Sequence, residues 1–274
     1  MTLRSTATVV RALDGLRLAG TLVTSGSAAE RAVVLVHGGG VTREEGGFFT
    51  RLAAGFGEAG VASLRCDLRG HGDSEGEQPE MTLCVHLNDI RAAIDHIREA
   101  TRVTAISLLG ASFGGGLCAY YAAKHPERLT RLVLLNPQLN YKNRYIDQKP
   151  YWSDDRLSDE AAQKLREQGY ISHSPTVKHG RALLNEVFWI RPHLVLSEIT
   201  APTLIVHGTQ DTFVPIESSR SAIYQFTTER KLVEIEGAQH GFAVHDDPTY
   251  ANPQSEKWQE FVIRTAVEWV TTDS

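Results

Sequence analysis

The stretch that most limits what this chain can become is Leu108-Leu109-Gly110-Ala111-Ser112-Phe113-Gly114-Gly115-Gly116. The apolar run Val103 to Leu109 reads as a buried strand. The helical pattern Leu117 to Lys124 follows and is closed by His125-Pro126. Between them lies G-x-S-x-G, here Gly110-Ala111-Ser112-Phe113-Gly114. A strand that passes directly into a helix forces a sharp, strained turn, with a serine at its apex. Glycines flank the serine because strand and helix approach too closely for a Cβ. The turn lifts the Ser112 hydroxyl into the open, and the helix N-terminus aims amide N–H groups at whatever is bonded to it. Such a serine is a candidate nucleophile.

A poor nucleophile at neutral pH, serine needs a base, and the base needs an orienting acid. In open α/β sheets both belong just past the carboxyl ends of strands. The run Thr203-Leu204-Ile205-Val206 leads to Asp211, and Lys231 to Ile235 leads to His240. The chain order is then Ser112, Asp211, His240, with His240 as general base and Asp211 fixing its tautomer. His245, beside Asp246 and Asp247, is the alternative base, whereas His207 directly follows its strand and is expected to pack there. His71 and Asp73 lie too close together and too early, in a loop (Asp67 to Gly76) read as structural. The strand Arg31 to Val36 ends at His37-Gly38-Gly39-Gly40, a glycine run whose N–H groups can face a ligand. No Gly-Lys-Ser/Thr follows it, so it is not a phosphate loop. The N–H groups of Gly39 and Phe113, with Gly40 as a further donor, are expected to hold an oxyanion, and His37 to brace the loop.

The remainder reads as alternating strands and helices, which predicts a single α/β domain over 1–274 with a mostly parallel central sheet flanked by helices. Thr6 to Arg11 and Leu16 to Thr24, around Asp14-Gly15, predict an antiparallel hairpin at its start. Helices are expected over about 47–59, 82–100, 216–226 and 254–270, the second exposing His86 and His96, the last burying Trp258, Phe261, Val262, Ala266 and Trp269. After the strand Leu129 to Leu135, about sixty residues (roughly 138–200) separate it from the next strand, far more than a crossover requires. Helices are expected there over Asp159–Gln168 and Lys178–Val187. The segment is rich in aromatics, and a lid is expected that brings Tyr141, Tyr145, Trp152 and Trp189 to the substrate.

A net charge of −5 offers no general attraction to nucleic acid or to an anionic membrane, and no run is long and apolar enough to span a bilayer. The N-terminal residues lack the pattern of a signal peptide, and Cys66, Cys84 and Cys118 are scattered without metal-ligand spacing. A cytoplasmic protein with a small-molecule partner and no metal is expected.

Taken together, His37-Gly38-Gly39-Gly40, Asp67 to Ser74, Gly110 to Gly114, His207 to Asp211 and Gln239-His240-Gly241-Phe242 make the chain resemble the α/β-hydrolase superfamily. Within it the chain is similar to small serine esterases and to lysophospholipase- and cinnamoyl-esterase-like acylhydrolases with a lid after the sixth strand. The resemblance implies a cofactor-free enzyme that forms a covalent acyl intermediate on Ser112. Serine at 112 argues against the dehalogenase and epoxide hydrolase branches, whose nucleophile is an aspartate. Cleavage of a carboxylic ester is the expectation. The alternatives are a thioesterase or acyltransferase and, from another class, a binding protein on the same scaffold.

Overall fold

In the computed structural model, which describes residues 2–26, 28–247 and 249–272, the chain forms twelve strands among the described residues. The first six are β1 (Arg4–Arg11), β2 (Arg17–Thr24), β3 (Arg31–Val36), β4 (Val61–Cys66), β5 (Ala105–Ala111) and β6 (Leu132–Leu135). Two small hairpins follow, β7 (Trp152–Ser153) with β8 (Arg156–Leu157) and β9 (Tyr170–Ser174) with β10 (Val177–Gly180). The last two are β11 (Thr203–Gly208) and β12 (Arg230–Ile235). Eight strands join one sheet in the order β1-β2-β4-β3-β5-β6-β11-β12. β1 and β2 pair antiparallel, as Asp14-Gly15 predicts, and β2 meets β4 antiparallel; the other pairings are parallel.

Strand periodicity divides the apolar residues between two cores. In β3, Ala32, Val34 and Val36 point to one side, and Val33 and Leu35 to the other. The first side is covered by α2 (Leu83–Thr101) and α3 (Ser112–Lys124), the second by α1 (Phe48–Glu58) and α7 (Pro253–Thr271). Each fully buried Val or Leu contributes about 1.5–3 kcal/mol, so a sheet buried on both faces is a rigid platform for the loops at its carboxyl end. α2 starts at Thr82, whose Oγ1 accepts the Val85 N–H at 3.1 Å, and ends at Arg102 with φ 60°.

Several expectations need correction. His86 is not on a helix surface: it is fully buried, its ring 5.7 Å from that of Phe113. His96 is half-buried and shares a 2.9 Å hydrogen bond with Thr8 Oγ1. On α7 the buried face is Val262, Ala266 and Val270, while Phe261 is exposed and Trp258 and Trp269 are only partly covered. The insert between β6 and β11 has one expected helix, α4 (Asp159–Gln168), started by Ser158 accepting the Ala161 N–H. The second is shorter than expected: 178–180 belongs to β10, paired with β9, and α5 covers only Arg181–Glu186. Past β11, α6 spans Glu217–Ala222 and passes into a tighter turn over Ile223–Gln225.

Candidate active site

β5 runs straight into α3, and Ser112, the first residue of the helix, has φ 49°. For a residue with a Cβ this is a left-handed, strained conformation worth about 1–3 kcal/mol. The surrounding glycines show why the turn holds. A Cβ on Gly110 would lie 2.5 Å from Gly114 O and 2.6 Å from Cys118 Sγ. One on Gly114 would lie 2.6 Å from Val36 O and collide also with His37 O. These are mostly backbone atoms and cannot move aside. We therefore expect Gly114→Ala to destabilise the fold by about 2–3 kcal/mol, read as a fall of about 5–10 °C in melting temperature; an unchanged melting temperature would contradict this packing.

Asp211 follows β11 and His240 follows β12, neighbouring parallel strands, so their loops emerge side by side. His240 Nδ1 and Asp211 Oδ2 are 2.6 Å apart. The other oxygen, Asp211 Oδ1, accepts the N–H groups of Phe213 (2.8 Å) and Val214 (2.9 Å). Burial alone would raise the Asp211 carboxyl; hydrogen bonds from His207 and His240, and then the backbone, overcome it and hold the group well below the usual carboxylate range. With Asp211 ionised, the proton that bridges the pair lies on Nδ1 of His240. His240 keeps 23% of its side-chain exposure and lies in the same cavity wall as Ser112. Ser112 makes no side-chain hydrogen bond among the described residues, so its hydroxyl is not committed to the protein.

The rival histidines are elsewhere. His207 is fully buried, with Nδ1 at 2.7 Å from Ser219 Oγ and Nε2 at 2.9 Å from Val214 O, a brace for the Asp211 loop. His245 is 77% exposed beside Asp246 and lines neither cavity at Ser112. His37 Nδ1 donates to Gly38 O at 2.7 Å and Nε2 accepts the Leu68 N–H at 2.9 Å. Burial, and next the neighbouring His71, push its imidazole down to about 3, so it stays a neutral strut. The 67–76 loop is structural: Asp67 accepts the N–H groups of Arg43 and Asp73, and Ser74 Oγ donates to Asp67 O.

In the glycine run, the Gly38 N–H donates to Glu45 Oε1 and the Gly40 N–H to His71 Nε2 at 3.3 Å. The Gly40 amide is thus spent on the loop. Gly39 lines the cavity with an N–H that no described residue accepts. Phe113, in the first turn of α3, also lines it, and first-turn amides have no intrahelical acceptor. Two N–H donors therefore flank Ser112.

The cavity over Ser112 encloses about 300 Å³ between the loops and the insert. Of the four expected aromatics, only Tyr145 lines it. Tyr141 is fully buried behind the turn, its hydroxyl donating to Phe113 O at 2.6 Å. Trp152 packs on Phe188, ring centroids 6.0 Å apart, and Trp189 is 84% exposed. Sequence reasoning missed Gln138, Arg144, Lys149, His173 and Phe213, which also line the cavity. A smaller space of about 130 Å³ on another side of Ser112 is bounded by Glu45 and Tyr250. Burial, opposed by the Gly38 N–H, raises the Glu45 carboxyl. Among the described residues no cluster of three His, Cys, Asp or Glu suits a metal ion, and no helix is long and apolar enough to cross a membrane.

Comparison with known proteins agrees with this architecture. Residues 31–184, more than half of the chain, match a family model described as alpha/beta hydrolase fold, and residues 168–270 match one for the dienelactone hydrolase family. A monoacylglycerol lipase of Mycolicibacterium smegmatis is 27% identical over 243 residues, covering 79% of this chain and 83% of the lipase. Protein ABHD8 of Mus musculus is 27% identical over 77% of this chain, which spans about half (52%) of that protein's length. Est1E from Butyrivibrio proteoclasticus, solved with ferulic acid bound, superimposes with a TM-score of 0.80 at 25% identity, over 97% of this chain and 100% of Est1E. With an eight-stranded mixed sheet, a strained serine where β5 meets α3 and a family match over residues 31–184, more than half of its length, the chain belongs to the α/β-hydrolase family.

Proposed function

We propose that the protein is a serine hydrolase that cleaves carboxylic esters through Ser112, His240 and Asp211. The observation that carries this reading is the 2.6 Å contact between His240 Nδ1 and Asp211 Oδ2, with His240 and the strained Ser112 on one cavity wall. Ser112 Oγ attacks the ester carbonyl carbon while Nε2 of His240 takes its proton. The oxygen becomes an anion and is met by the N–H groups of Gly39 and Phe113. One such donor is worth about 2.7–4 kcal/mol of transition-state stabilisation. The imidazolium is stabilised by Asp211 and returns its proton to the departing alcohol oxygen, leaving an acyl group on Ser112. Water, deprotonated by His240, then attacks the acyl carbonyl, the bond to Ser112 Oγ breaks as His240 returns that proton to Oγ, and the acid departs. The insert covers the cavity and acts as a lid that excludes bulk water. The similarity to a monoacylglycerol lipase and to a protein holding ferulic acid supports a small ester as substrate.

The test is labelling with a fluorophosphonate, followed by peptide mapping and a screen of p-nitrophenyl esters and matched thioesters. The expected result is one adduct, on Ser112, and ester turnover abolished by that adduct. An unlabelled Ser112 in a folded protein, with no ester or thioester cleaved, would end this reading.

A further inference from the structure

The cavity over Ser112 holds two cations that the ester chemistry does not use. Arg144 and Lys149 both line it, each half-buried, together with His173. Two of the acids close to them in sequence are committed elsewhere, Asp147 and Asp155 both pairing with Lys142, at 2.6 and 2.7 Å, and Asp154 is exposed and does not line the cavity. Among the described residues neither Arg144 nor Lys149 forms an ion pair. Burial and then the Arg144 charge hold the Lys149 ammonium below its ordinary value. Burial, then Lys149 and Arg144, bring the His173 imidazole down to about 4, so it is neutral near pH 7. His173 Nδ1 is buried without a hydrogen-bond partner. Gathering like charges in a partly desolvated space is unfavourable unless an anion completes it.

We propose that this cavity selects esters that carry a second, ionised acid group, a carboxylate or a phosphate, held by Arg144 and Lys149 while the ester carbonyl lies at Ser112. The guanidinium offers a planar fork that matches either anion, and the ammonium a point charge beside it. Tyr145, Phe113 and Val177 supply apolar wall for the chain that joins the anion to the ester. The catalytic half of the proposal rests on the serine-hydrolase reading above; the anion site does not.

The experiment compares kcat/KM for the mono-p-nitrophenyl ester of glutaric acid with that for its neutral methyl ester, in the parent protein and in an Arg144→Gln/Lys149→Gln double variant. The parent is expected to prefer the anionic ester by about tenfold or more, with the ratio falling towards one in the double variant and with rising salt. An Arg144→Lys/Lys149→Arg protein, which keeps both charges, is expected to retain the preference, and this guards against a merely misfolded double variant. Calorimetric titration of Ser112→Ala protein with glutarate, inorganic phosphate and neutral glutaramide reads the anion site without turnover and tells carboxylate from phosphate. Anion binding that is lost on adding the double substitution supports the proposal even if no ester is cleaved, and then only the hydrolase reading falls. Neutral-ester turnover with no anion preference and no anion binding overturns the proposal and leaves the hydrolase reading standing. A preference that survives the double substitution overturns it as well, and so does a protein that neither binds an anion nor cleaves an ester.

Discussion

Ser112→Ala is expected to lower kcat for every ester the protein cleaves by about 10⁴–10⁶-fold, with a melting temperature close to that of the parent. On the proposed mechanism the Ser112 hydroxyl supplies the attacking electron pair, and of the residues that line both cavities with His240 and Gly39 only Ser112 carries a hydroxyl. Cys118 cannot substitute, since it is fully buried and burial keeps its thiol protonated. The fold is indifferent to the change for two reasons. The Ser112 side chain has no hydrogen-bond partner among the described residues, so its loss orphans no buried polar group. Alanine also carries the same Cβ into the φ 49° conformation, so the backbone strain is nearly unchanged. Single-turnover assays on parent and variant, with fluorophosphonate labelling as a control, measure the effect. A fall smaller than about tenfold in a variant of parental stability would mean that another group is the nucleophile.

What was legible from sequence and what was not divides along the range of the interactions. The turn at Ser112 is legible from its motif, because Gly110 is demanded by atoms four to eight residues on, and Gly114 by the backbone at the end of the adjoining strand β3, which any such strand-to-helix turn approaches. The positions of Asp211 and His240 follow from strand ends, and adjacent parallel strands bring such ends together whatever the intervening sequence. The loop after β3 was legible as a glycine run, but not which glycine faces the cavity. That depends on Glu45 and His71 claiming the amides on either side of Gly39.

The insert was legible only in outline. Tyr141 and Tyr145 are four residues apart with the same side chain, yet one is sealed behind the turn, donating to Phe113 O, and the other lines the cavity. Local pattern carries no information about which is which. Lys178 to Gly180 fits a helical pattern, but pairing with β9 outweighs that weak preference. His86 follows the same logic: its neighbours mark a helix, while the rings of His71 and Phe113 that bury it come from distant segments. Arg144 and Lys149 carry no local signal of a site, which shows only once Asp147 and Asp155 are found on Lys142.

Asp211→Asn tests the arrangement at its least accessible point, and a fall in kcat of about 10⁴-fold is expected. The variant keeps the shape of the side chain, and its amide oxygen can still accept the N–H groups of Phe213 and Val214 that Oδ1 accepts in the parent. That orientation turns the NH₂ group towards His240. Nδ1 of His240 must then act as acceptor, so the proton resides on Nε2, where the Ser112 proton has to go. The base is present but has the wrong tautomer. The charge that would stabilise the imidazolium is lost with it. The same substitution reports on stability, with a sign fixed by the shifted carboxyl. The folded state holds Asp211 well below the usual carboxylate range, so the parent draws stability from it at every pH above that range. This contribution fades as pH falls from about 4 towards the depressed folded value. Parent and variant are therefore expected to differ most in melting temperature near neutral pH and to converge in acid. A difference independent of pH would mean that Asp211 contributes by packing alone. A kcat within tenfold of the parent would mean that His240 needs no orienting acid, or that another residue is the base.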